Sequence, residues 1–302
     1  MKKDFLSIAD LGRDEIDDIF KLAADIKRKI KSGETYHPLK GKTLAMIFQK
    51  PSARTRISFD TGMYLLGGYA LNLSPAEIGI GTREAVSDVA RVVSRYNDLI
   101  MARLFGHEDI IELAKYASVP VINGLTDLLH PCQIMADAFT LIEHRKSVEG
   151  LKIAYMGDGN NVANSWVNFA SRYPIRLSLG TPEGFDPPAD LIESAKKAGL
   201  SEISIHRDPH EAVADADVIY ADVWASMGQE AETENRMKIF KDYQVNDALV
   251  KSAKKDVLVM HCLPAHRGQE ITDSVIESPH SIVFDEAENR MHVQNAIMVT
   301  LL

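Results

Sequence analysis

The 302-residue sequence reads as an α/β protein of two domains, each a mainly parallel sheet flanked by helices. Three observations carry that reading. Short apolar runs alternate with helical patterns along the chain, as βαβ units require. The length exceeds what a single core usually serves. Polar motifs fall repeatedly just after a predicted strand, where open parallel sheets place their ligands.

The elements run in order along the chain. Residues 11–31 form an amphipathic helix, with Ile16, Ile19, Phe20, Ala23 and Ile26 near helical spacing. Strands are expected at 44–48, 69–73, 99–102 and 119–123, with helices at 59–66, 84–95 and 108–117 between them. Residues 130–145 form one longer helix, and 146–150 a hinge. A second set of strands is expected at 152–156, 176–179, 203–205, 218–221, 257–261 and 282–284, with helices such as 188–198. Residues 289–302 look helical again, with Met291, Ala296, Ile297 and Val299 apolar. The domain limits are therefore 1–133 and 134–288, joined through a linking helix at 130–146, with 289–302 as a C-terminal helix.

Composition narrows the function. At 45% hydrophobic and 25% charged residues the chain is that of an ordinary soluble protein. A net charge of −9 excludes a general nucleic-acid surface. The two cysteines, Cys132 and Cys262, give neither a disulfide framework nor a zinc spacing. The N-terminus turns acidic at Asp4 and has no apolar core of the signal-peptide kind, and no stretch approaches a membrane span. A cytoplasmic enzyme acting on small molecules is the expectation.

The densest chemistry lies in Lys50-Pro51-Ser52-Ala53-Arg54-Thr55-Arg56, between an apolar strand and a helix. Two hydroxyls and two guanidiniums thus meet a helix N-terminus. There the outward N–H groups and the helix dipole favour an anion, and Arg adds a fork that fits phosphate oxygens. The same residues on a random surface turn would only cap the helix. The preceding strand and the later motifs favour the anion site. His130-Pro131-Cys132-Gln133 opens the linking helix. His130 and Gln133, three apart, can face one ligand, or the His can be a half-buried cap. Gly157-Asp158-Gly159-Asn160-Asn161 fails the dinucleotide pattern because position 162 is Val. Asn161 is left as a polar substrate contact. Asp222-Val223-Trp224-Ala225-Ser226-Met227-Gly228 reads as a mobile loop with an exposed Trp and Met, able to grip an amino-acid head group. The alternative is a surface loop whose Asp caps a helix. His261-Cys262-Leu263-Pro264 ends a strand. No nucleophile elbow accompanies it.

Taken together, Ser52–Arg56, His130–Gln133, Asp222–Gly228, His261–Pro264 and Phe284–Arg290 resemble the carbamoyltransferase family, in its ornithine branch, over essentially the whole chain. The resemblance implies a carbamoyl-phosphate domain followed by an amino-acid domain. It also implies a last helix folded back onto the first domain, and homotrimers with active sites between subunits. It implies that Ser52, Ala53, Arg54, Thr55 and Arg56 hold the phosphate. Arg103, His130, Gln133 and Arg290 then complete the carbamoyl-phosphate site, with Cys262 and Leu263 beside the reacting centre. Asn161, Asp222, Ser226 and Met227 would bind ornithine. Arg103, His130 and Cys262 are the implied catalytic residues. Three positions depart from the family's pattern. Ala53 replaces a Thr, Asn164 stands where a His is frequent, and Gly79 stands where a Gln or His usually reaches a neighbouring subunit's site.

The implied reaction transfers the carbamoyl group to the side-chain amine of L-ornithine, giving citrulline and phosphate, with a place in arginine biosynthesis. A neutral amine attacks the carbamoyl carbon, and Thr55, Arg103 and His130 stabilise the oxyanion, roughly 3–4 kcal/mol for one good donor. The amine, with a free pKa of about 10, must first lose a proton. Asp222, Cys262 and the leaving phosphate are the candidate acceptors. Phosphate is already a good leaving group, so no metal or cofactor is expected. The competing readings are another acceptor (putrescine, an acylated ornithine, aspartate), a non-catalytic carbamoyl-phosphate sensor, and a nucleotide-dependent oxidoreductase.

Overall fold

The computed structural model describes residues 3–225 and 232–302. After a 3-10 turn at Ile8–Asp10, the chain forms α1 (Arg13–Ser32), β1 (Thr43–Phe48), α2 (Ala53–Leu65), β2 (Tyr69–Leu73), α3 (Pro75–Ile78), α4 (Val86–Val93), β3 (Leu99–Arg103), α5 (His107–Tyr116), β4 (Val121–Leu125) and α6 (Pro131–Arg145). It continues with β5 (Lys152–Met156), α7 (Asn161–Ala170), β6 (Arg176–Gly180), α8 (Ala189–Lys197), β7 (Glu202–His206), α9 (Pro209–Val213), β8 (Val218–Ala221) and α10 (Thr233–Ile239). The last elements are α11 (Asp247–Lys251), β9 (Leu258–His261), α12 (Asp273–Ile276) and α13 (Val283–Leu301). Two units result. Unit 1 holds the residues up to Phe139 together with Glu288–Leu302, and unit 2 is Thr140–Ala287.

Unit 1 contains a sheet in the order β2-β1-β3-β4, and unit 2 one in the order β7-β6-β5-β8-β9. Every pairing is parallel. The central strands are buried along their length, so they read as continuous apolar runs rather than alternating ones. In unit 1, Ile47, Ile100, Ala102, Leu113 and Val89 share one buried cluster; in unit 2, Ala154, Ile219, Val245, Val259 and Val283 share another.

α1 buries the five apolar residues its spacing selects and ends at Gly33, whose φ of 74° lies in the left-handed region. The Glu15 carboxylate accepts from the Gly12 N–H at 2.8 Å, satisfying one end group. One expected strand does not form. Val283 and Phe284 open α13 instead, Ile282 only donates to the Val259 carbonyl at 3.0 Å, and Ser281 makes only an isolated bridge to Val259. Three apolar residues carry no period that separates strand from helix. The residues beyond them continue in helical turns through Leu301 and draw the short run into the helix.

The closing segment is bound into unit 1 by side chains. Lys31 pairs with Glu288 at 2.7 Å, Lys27 donates to Asn289 at 2.8 Å, and Arg290 donates to the Thr55 hydroxyl at 3.1 Å. Further along, α13 meets α2 so closely that a Cβ on Gly62 would stand 2.1 Å from Asn295 Oδ1. Asn295 is fully buried and has no room to retreat. Gly62→Ala is therefore expected to destabilise unit 1 by about 1–3 kcal/mol, read by urea unfolding. Adding Asn295→Ala should recover most of that loss, because the two positions couple through direct contact.

Candidate functional site

Sheet order says where to look. In unit 1 the chain runs outward from β1 to β2, then reverses to β3 on the other side; in unit 2 it runs from β5 through β6 to β7, then reverses to β8. Each reversal opens a crevice beyond the carboxyl ends of the two strands flanking it. Those ends are Phe48 beside Arg103 in unit 1, and Met156 beside Ala221 in unit 2. The loops leaving them carry Lys50–Arg56, Gly157–Asn161 and Asp222.

In unit 1 the loop after β1 passes into α2 at Ser52, whose backbone is extended (φ −155°, ψ 106°). Its hydroxyl accepts from the Thr55 N–H at 3.3 Å and donates to the Thr55 hydroxyl at 3.0 Å. Ser52 thus caps the helix, a contribution of about 1 kcal/mol. The amides of Ala53 and Arg54 remain directed out of the helix end. Arg54 and Arg56 are exposed on that first turn, while Thr55 is fully buried and receives Arg290. Lys50 is buried against Asp127 and lies 4.6 Å over the Phe105 ring. At the end of β3, Arg103 is only 5% exposed and keeps its register with Phe48 of β1, while the pairing with β4 skips Gly124.

His130 and Gln133 come after β4 at the start of α6, both buried. Burial, reinforced by the charges of Arg290 and Arg103, holds the His130 imidazole well below its ordinary pKa of 6.5. It is a neutral hydrogen-bonding group among guanidiniums. Gln133 Nε2 donates to Asp137 at 2.8 Å. Cys132 points elsewhere: it donates to the Asn123 carbonyl, and burial pushes its thiol up to about 12, so it is inert.

In unit 2, Asp222 is the centre. Its Oδ1 accepts from the Cys262 S–H at 2.9 Å and the Val223 N–H at 2.8 Å; its Oδ2 accepts from Asn160 Nδ2 at 2.6 Å. His261 is fully buried. Its Nδ1 accepts from the Leu263 N–H at 2.9 Å, so Nε2 carries the proton and donates to Glu270 at 3.0 Å. Glu286 accepts from the His261 N–H at 2.9 Å and from the Tyr220 hydroxyl at 3.3 Å. These bonds hold Leu263 at φ 57°, a left-handed value uncommon for a branched apolar residue. Asp222, His261 and Cys262 each place a metal-ligating atom within 4.8 Å of the others. Both ring nitrogens of His261 are already engaged, so a cation there would have to displace them.

The structure brings Ser52, Thr55, Arg103, His130 and Arg290 together in unit 1, and Asp222 and Cys262 in unit 2. Asn161, the first residue of α7, and Leu263 flank the second group. Ser226 and Met227 lie outside the described residues. One expectation is corrected. Trp224 is buried, stacked on Phe240 at 6.1 Å, and not an exposed loop residue. Its carbonyl receives Arg236 Nη1 at 2.9 Å; the same nitrogen pairs with Asp158 at 2.7 Å, while Arg236 Nε bonds Glu232 at 3.0 Å. Gly79 ends α3 at φ 54°, and a Cβ there would stand 2.7 Å from the Cβ of Arg83. The departure at this position thus has a local cause: the left-handed turn and the overlying Arg83 side chain both exclude a larger residue.

Comparison with known proteins agrees with this geometry. Residues 3–143 match the carbamoyl-P binding domain of aspartate/ornithine carbamoyltransferase, and residues 149–301 match its Asp/Orn binding domain. The chain belongs to the aspartate/ornithine carbamoyltransferase family. It is 56% identical to the ornithine carbamoyltransferase of Syntrophus aciditrophicus over the whole of both chains. It is also 56% identical to the chloroplastic enzyme of Pisum sativum, over 99% of this chain and 80% of that one. Among solved structures, the ornithine carbamoyltransferase of Pyrococcus furiosus superposes with a TM-score of 0.93 at 50% identity, covering 98% of this chain and 96% of that one. The Thermus thermophilus enzyme gives 0.91 at 40% identity, covering 100% and 99%. Sequence reasoning about the carbamoyltransferase motifs did not single out Asn160, Glu270, Glu286 or Arg236. Asn160 and Glu286 lie within the Gly157–Asn161 and Phe284–Arg290 motifs without a role of their own there, and Glu270 and Arg236 look like ordinary charged residues.

The depressed His130 has a consequence for stability. The unfolded chain takes up this proton as the pH falls through about 6.5, whereas the folded chain does not. Stability present above that pH is therefore lost as the pH falls toward the lower folded value. His130→Asn should flatten the pH dependence of unfolding between about pH 6.5 and pH 5, by up to about 1.4 kcal/mol per pH unit. Urea titrations at several pH values check this, and identical slopes would refute it.

Proposed function

We propose that this protein transfers the carbamoyl group of carbamoyl phosphate to the side-chain amine of L-ornithine, forming L-citrulline and phosphate. The observation that carries the reading is the unit 1 cluster: buried Arg103 and Arg290 flanking a neutral His130, one helix turn from the α2 N-terminus. A dianionic phosphate suits the α2 end, with Arg54 and the outward amides of Ala53 and Arg54 as its donors. Ser52 fixes that end, and Arg56 adds positive charge on the same turn. The carbamoyl oxygen, where charge develops, takes Thr55, Arg103 and His130. A neutral imidazole donates there without giving up a proton. Gln133 is held through its Nε2 by Asp137. Its Oε1 is then the end that accepts from the carbamoyl NH₂.

Unit 2 supplies the acceptor. Asn161 and Asp222 bind the ornithine head group, with Ser226 and Met227, and Cys262 and Leu263 stand at the reacting end. The amine attacks as its free base. The C–N bond forms, the C–O bond to phosphate breaks, and the amine proton passes to Asp222 or the departing phosphate.

The homotrimer and a place in arginine biosynthesis belong to the same reading. Support for assembly comes from apolar side chains left at the surface of unit 1. They are Ile57 and Tyr64 on α2, and Tyr69 and Leu71 on the edge strand β2. Light scattering should give three times the 33.5 kDa chain mass, or a multiple of that trimer mass. A mass of one chain would refute the trimer.

The decisive experiment supplies carbamoyl phosphate with a panel of amines (ornithine, putrescine, acetylornithine, aspartate) and measures phosphate and carbamoylated product. Citrulline from ornithine at the highest kcat/KM is expected. Arg54→Ala should lower kcat/KM by about 10²-fold or more. Near-parental turnover together with near-parental carbamoyl-phosphate binding would sink the assignment.

A further inference from the structure

The geometry assigns Asn160 the role of a positioning residue for Asp222, an inference that rests on the acceptor site proposed above. Asn160 is the N-cap of α7, and its Oδ1 accepts from the N–H groups of Val162 at 2.9 Å and Ala163 at 3.3 Å. The Tyr155 hydroxyl, fully buried, lies 3.1 Å from the same oxygen. These donors decide which end of the amide is oxygen. The end facing Asp222 is therefore the NH₂ group, and it donates to Oδ2 at 2.6 Å.

A cap needs only an oxygen; Ser, Thr or Asp would serve α7 as well. The NH₂ group is surplus to capping, and it is spent on the carboxylate. Asp222 is consequently held from both sides. Asn160 holds Oδ2, while Cys262 and Val223 hold Oδ1. That fixes the carboxylate plane and presents it in one orientation to an incoming ammonium group. The donor also offsets an unfavourable neighbour: burial and the charge of Asp222 both raise the Asp158 carboxyl above its usual range, despite Arg236. Among cap residues only Asn supplies the oxygen for the helix and the donor for the acid.

Two variants separate the roles. Asn160→Ser keeps a capping oxygen but cannot reach Asp222. Asn160→Asp keeps the shape and the cap but removes the donor. Asn160→Ser should melt near the parent temperature, whereas Asn160→Asp sets two buried carboxylates against each other and should melt lower. The ornithine KM should rise about tenfold or more, as for a lost bond to a charged group, with the carbamoyl-phosphate KM within about twofold. A second readout does not depend on catalysis. Cys262 is the accessible thiol and Cys132 is buried, so iodoacetamide labels Cys262 once its sulfur leaves the bond to Asp222. Asn160→Ser should label several-fold faster than the parent. Parental labelling and parental ornithine KM in the Ser variant would overturn the inference. So would a lowered melting temperature with both KM values raised equally, since that is what a cap alone would do. If the parent makes no citrulline, the functional proposal falls, and the labelling rates still decide the role of Asn160.

Discussion

Positive charge held almost out of water is the constraint on which the rest of unit 1 depends. Arg103 and Arg290 are 5% and 4% exposed, and His130 between their fields stays unprotonated. Charges in a low-dielectric setting interact far more strongly than in water, so their placement has to be over-determined. Pairing with Phe48 at the end of β3 sets Arg103, and the Thr55 hydroxyl receives Arg290. Thr55 is in turn fixed by Ser52, which also caps the start of α2. One short stretch of sequence thus serves both as helix cap and as anchor for a distant guanidinium.

Unit 2 carries the opposite electrostatics. Asp158, Asp222, Glu270 and Glu286 are all buried, and three of them bond to neutral donors: an amide, a thiol, a hydroxyl, a neutral imidazole or a backbone N–H. Asp158 differs in having a guanidinium, that of Arg236. Buried carboxylates satisfied by neutral groups keep their attraction for a cation, which is what an ammonium substrate requires. The same fold type, reversed at the same kind of switch point, is therefore tuned for an anion in one unit and a cation in the other.

Much of this is legible in the sequence. The strands announce themselves because parallel strands buried on both faces are plain apolar runs, and the loop residues because chemistry collects at strand ends. The run at 282–284 misleads because three apolar residues cannot show a period. Trp224 misleads because a loop position says nothing about the aromatic neighbour, Phe240, that covers it. Asn160, Glu270 and Arg236 stay invisible, the first and last for a shared reason. Their partners lie far off in sequence, 62 residues from Asn160 to Asp222 and 78 from Asp158 to Arg236. Only the folded chain makes those pairs.

The return of α13 to unit 1 also bears on how the molecule is made. Unit 2 is one uninterrupted stretch, whereas unit 1 also needs Glu288–Leu302, which follow unit 2 along the chain. The half that begins first is finished last. Until then Thr55 lacks its guanidinium and Gly62 its neighbour, so the amino-terminal sheet waits with its α2 seam uncovered. The order of translation is thereby the reverse of the order in which the two units can be completed.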